Sequence, residues 1–101
     1  MNEKTFFVNY IPALEASLAF KMMYDFDVKG PDWFIEDDEL RNELDLFEQK
    51  NYEKHKSLFD MVAYYLDARA HNFKEIEGVS IEEYKERLES AIDVYKKEYD
   101  L

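Results

Sequence analysis

Between Asn51 and Phe73 the apolar residues return at the spacing of a helix. With successive residues about 100° apart, Tyr52, His55, Phe59, Val62, Ala63, Leu66, Ala70 and Phe73 fall in one stripe, which Leu58, Met61 and Tyr65 widen. Tyr64 projects from the opposite side. This stretch predicts the longest helix of the chain and the floor of its core. Turn-formers are scarce, with two glycines and two prolines in 101 residues, so helices joined by short connections are expected rather than hairpins. At 47% hydrophobic the chain is too apolar for disorder despite 37% charged residues, and its length suits one core rather than two. The expected fold is all-α, a compact bundle of about four helices in a single domain spanning residues 1–101.

The other helices follow from local signals. Thr5 to Val8 reads as a short strand or an apolar lead-in, and the lead-in is favoured because no later segment offers a strand partner. Helix 1 is expected over Pro12 to Tyr24, with proline in the first turn and apolar residues on two faces, the pattern of a central helix. Lys29-Gly30-Pro31-Asp32 breaks the chain. Asp32 or a residue soon after caps helix 2, whose apolar stripe is Leu40, Leu44 and Phe47. Helix 4 begins at Ser80-Ile81-Glu82-Glu83, a capping box with Val79 and Tyr84 spaced as its hydrophobic staple, and buries Ile81, Tyr84, Leu88, Ile92, Tyr95 and Tyr99.

Charge is distributed unevenly over this scaffold. Asp25 to Glu48 holds ten acidic residues and two basic ones, Lys29 and Arg41, a local charge of −8 out of −11. Residues 50–73 carry +1. A surface this acidic repels nucleic acid and anionic membrane, so neither is expected as a direct partner, and a basic protein is. No run approaches the roughly 20 apolar residues of a membrane span. The N-terminus lacks the pattern of a signal peptide. With no cysteine, a cytoplasmic protein is the expectation.

Three constellations invite chemistry. Asp25, Asp27, Gly30 and Glu36 stand at positions 1, 3, 6 and 12 of a calcium-binding EF-hand loop. Lys29 at position 5 brings an ammonium where an oxygen ligand belongs, and Asp32 takes the usually apolar position 8, so no metal site is expected. His55 and His71, sixteen residues apart, face about 160° apart on a helix and cannot share a metal. Acids lie near both histidines, but no nucleophile or glycine-rich oxyanion turn accompanies them, so the chain is not expected to be an enzyme or to carry a cofactor.

What remains is the acidic-aromatic stretch. Its structural reading is a solvated helix face with Trp33 and Phe34 tucked into the bundle. Its functional reading is a recognition surface of Asp32, Trp33, Phe34, Glu36, Asp37, Asp38, Glu39, Glu43 and Asp45, with the two rings as anchors and the carboxylates steering a basic partner. The expected function is inhibition of such a partner, as an immunity protein or antitoxin does to a toxin such as a nuclease. A phage-type mimic of DNA is the nearest alternative, and a self-associating structural or regulatory protein the alternative of another class.

Overall fold

The first helix starts nine residues before Pro12 would place it. A computed structural model describes residues 1–20 and 28–101 of the chain. Asn2 caps α1, Glu3–Ala19, its Oδ1 accepting from the Thr5 amide at 2.8 Å. Thr5 to Val8 is therefore helical, not a lead-in or a strand, and Pro12 lies inside the helix. An interior proline costs about 3 kcal/mol through its lost hydrogen bond and the clash of its ring. Here Pro12 faces outward, while Phe6, Phe7, Tyr10, Ile11, Ala13, Leu14 and Leu18 are buried. At about 1.5–3 kcal/mol for each large apolar side chain, that burial outweighs the proline. The rest of the expected helix 1, Lys21 to Tyr24, lies outside the described residues, as do Asp25 and Asp27 of the calcium-like loop.

After the Gly-Pro break the chain makes a 3-10 turn, Pro31–Phe34, and not yet a helix. Ser17 of α1 fastens it, donating its hydroxyl to the Lys29 carbonyl at 2.5 Å. Ile35 follows in extended geometry and is buried. Only at Asp37 does the backbone meet a cap: its Oδ1 accepts from the amides of Glu39 and Leu40 at 2.9 and 3.2 Å. Helix α2 is Asp38–Lys50, with Asp38 and Glu39 in its first turn, where the helix dipole favours acids. It starts five residues later than capping by Asp32 would give.

The long periodic stretch is divided. Tyr52–His55 forms a 3-10 turn and α3 is Lys56–Ala70, so α4 with 18 residues is the longest helix among the described residues and α3 has 15. His55 leaves helical geometry at φ −125°, ψ 27°. Its ring meets Phe7 edge-on at 5.0 Å, and its Nδ1 lies 2.8 Å from Tyr95 Oη. At the other end Asn72 takes φ 56°, and the amide of Phe73 reaches the Ala68 carbonyl at 2.9 Å, a Schellman stop three residues before the stripe ends.

A short hairpin then appears that helical periodicity could not announce. Glu75–Ile76 (β1) pairs antiparallel with Val79–Ser80 (β2). Glu77 and Gly78 turn it, both at positive φ, 52° and 81°, the conformation a tight two-residue hairpin requires. Helix α4, Ile81–Glu98, starts where the capping box put it, with Ser80 Oγ accepting from the Glu83 amide at 3.2 Å. The Glu83 carboxylate turns to Arg87 at 3.3 Å instead of closing the box. The fold is an all-α bundle, with four α-helices and one small hairpin among the described residues. α1 is central, and four of its residues, Phe6, Phe7, Ile11 and Leu14, are among the most deeply buried. No described helix is long and apolar enough to cross a membrane.

Candidate functional site

Helix α2 divides the acidic stretch in two. Leu44 and Phe47 point into the core and Leu40 packs beside them. Helical geometry then sets Arg41, Asp45 and Glu48 on one flank and Glu39, Glu43 and Leu46 on the other. The first flank faces the 3-10 turn, whose Asp32 carboxyl comes within hydrogen-bonding reach of Asp45. Glu48 belongs to two adjoining hollows. One, of about 410 Å³, is walled by Tyr10, Gly30 to Trp33, Phe59, Val62, Ala63 and Leu66. The other runs along Asp45, Gln49 and Tyr52. Together they form a groove with carboxyls at its middle, an apolar floor from α3 and an indole at its lip.

The electrostatics of this groove are those of crowded acids. Burial, then the charges of Asp32 and Asp45, push the Glu48 carboxyl up to about 7. Asp32 is raised by burial, by the charge of Asp45 and by their hydrogen bond, against the opposing charge of Arg41. Arg41 itself is turned elsewhere, donating to the Ile35 carbonyl at 2.7 Å and pairing with Asp38 at 3.1 Å. Burial raises the Tyr10 phenol, and the charges of Glu48 and Asp32 add to it. A group that resists ionisation in the free protein favours a cation as its neighbour.

The nine residues singled out from the sequence do not form one surface. Trp33 is 63% exposed, with Lys29 Nζ at 4.4 Å from its ring centre. Phe34 is turned inward, partly buried against the core and edge-on to Phe20 at 5.8 Å. The two rings therefore separate, one outward and one inward. Asp32, Trp33 and Asp45 come together at the groove. Asp37 is engaged in capping and Asp38 in its pair with Arg41, while Glu36 is exposed ahead of the helix. Glu39 and Glu43 lie on the far flank, where Leu46 is 55% exposed.

Two groove residues were not picked out from the sequence, Glu48 and Tyr10. Glu48 follows Asp45 by three positions, a spacing that puts both on one helix face, and this was the available signal. Tyr10 reaches the groove only through the packing of α1. Among the described residues there is no group of three or more His, Cys, Asp or Glu side chains arranged to hold a metal ion. Comparisons with protein-family models, with curated proteins and with solved structures find no match.

Proposed function

We propose that this chain is a small acidic binding protein that inhibits a basic protein partner, and that the partner is a toxin such as a nuclease. The observation that carries the reading is Trp33, 63% exposed on a hydrogen-bonded turn and standing at the lip of a groove lined by Asp32, Asp45 and Glu48. A large amphipathic ring beside partly desolvated charge is the composition of an interface hot spot. The scattering of the other carboxylates, some capping or paired and others on the far flank of α2, supports insertion into a basic cleft over imitation of an evenly spaced phosphate array.

The test is co-expression with the product of the adjacent gene, followed by titration of the purified pair. A basic, toxic neighbour, inhibited at one-to-one stoichiometry by a complex that survives about 0.5 M salt, supports the reading. A neighbour whose toxicity the chain leaves untouched contradicts it. Binding to several unrelated DNA-binding proteins, lost steeply with salt, would return the DNA-mimic alternative.

A further inference from the structure

The groove contains a polar group that the fold itself leaves unused. Tyr10 is 5% exposed, with its ring stacked on Phe6 at 5.0 Å and edge-on to Phe59 at 5.9 Å. Its hydroxyl has no hydrogen-bond partner among the described residues, and it lines the same hollow as Asp32 and Glu48. Among the described residues the buried side-chain atoms left without a partner are Arg41 Nε and His55 Nε2, so the Tyr10 oxygen is open to the hollow, where an entering group can reach it. It lines the hollow with two carboxyls that repel each other, so an incoming donor with positive charge would suit all three oxygen groups.

We propose that this hollow receives one arginine side chain of the partner, held by the carboxyls of Asp32 and Glu48 and the hydroxyl of Tyr10. The inference rests on the basic-partner reading and adds the residue type and its seat. A guanidinium offers five N–H donors in a flat fork, enough to satisfy two carboxyls and a phenol oxygen together. It is more weakly hydrated than an ammonium, which lowers the cost of entering a half-buried hollow. Its plane and stem suit the apolar walls given by Phe59 and Leu66, and the volume of about 410 Å³ admits a whole side chain. Lys29 already stands over the Trp33 ring. The carboxyls, not that indole face, therefore position the incoming cation.

The experiment titrates Nα-acetyl-arginine methylamide into the intact chain, with Nα-acetyl-lysine methylamide in parallel, and follows the fluorescence of Trp33, the one tryptophan. The expected result is saturable arginine binding with Kd of about 1–10 mM, and lysine binding weaker by about threefold or more. Glu48→Gln and Asp32→Asn each weaken the arginine probe about fivefold, and Tyr10→Phe, which keeps the ring, about twofold. Glu39→Gln and Glu43→Gln on the far flank leave it unchanged. A non-saturating response, equal affinity for the two probes, or equal losses from the far-flank variants would overturn the proposal. Where a groove variant unfolds, the arginine-to-lysine comparison on the unaltered chain decides alone. The probe contains no partner protein, so its failure is separate from failure of the co-expression test.

Discussion

The charged side chains that α1 turns towards its neighbours and those of the groove are treated in opposite ways. Glu3 receives Lys54 Nζ at 3.0 Å on one oxygen and Tyr99 Oη at 2.7 Å on the other, and these bonds hold its carboxyl below the usual range. Glu15 and Lys96 pair across α1 and α4 at 2.6 Å. His55 Nε2 is the exception, buried without a hydrogen bond 3.8 Å from Glu3. In the groove, by contrast, Asp32, Asp45 and Glu48 crowd one another and Glu48 is raised to about 7. Paired charge stabilises the native state and crowded charge opposes it. Acids held at a cost to stability are what a binding surface requires and a scaffold does not.

The largest expected effect breaks the first region. Phe7 packs against His55, Tyr95 and Tyr99 at ring separations of 4.7 to 5.0 Å. Phe7→Ala removes the side chain on which that network rests, at about 3–5 kcal/mol, measured by urea unfolding.

Next come two substitutions of the same kind with opposite signs. Glu48 has a folded pKa above its unfolded value, so the folded state keeps a proton that the unfolded state has lost. Its unfavourable contribution is absent below about pH 4.5, develops as pH rises towards 7 and is complete above that. With allowance for partial access to water, Glu48→Gln raises stability at pH 8 by about 1–2 kcal/mol and has no effect below the unfolded pKa. Glu3 is the reverse. Its folded pKa is lowered, so its contribution is present above pH 4.5 and lost as pH falls through the folded value. Glu3→Gln lowers stability at pH 7 by about 0.5–1 kcal/mol, an effect that fades in acid. Denaturant unfolding of the two variants across this pH range checks both signs.

The smallest stability effect belongs to the residue on which the proposed function rests. Trp33→Ala changes unfolding free energy by less than about 0.5 kcal/mol because the ring is largely in water. On the proposed function its loss weakens binding of the basic partner by about 2 kcal/mol or more, read by calorimetry.

Legibility in the sequence follows the range of the forces involved. Helix α4 could be located from Ser80 and Glu83 because a cap is satisfied within one turn. The start of α1 was obscured by Pro12, which local preference places in a first turn, whereas long-range burial of Phe6 to Leu14 carries the helix through it. Asp37 took the capping role available to Asp32 because the Pro31–Phe34 segment is pinned by Ser17 to α1 as a 3-10 turn. The hairpin at Glu77-Gly78 has little signature of its own in the sequence, because its first turn residue is a glutamate at positive φ. The acidity of the candidate site was plain in composition. Its focus was not, since Glu48 and Tyr10 meet there only when α1, α2 and α3 have packed.

The central claim is that the groove acids are uncompensated in the free protein. It is tested most directly by the pH titration of the Glu48 side-chain carboxyl, followed by carbon-13 NMR on the unliganded chain. A midpoint near 7 is the predicted result. A midpoint at or below the ordinary value of 4.5 would contradict the claim, because the carboxylate would then already be as well satisfied as Glu3.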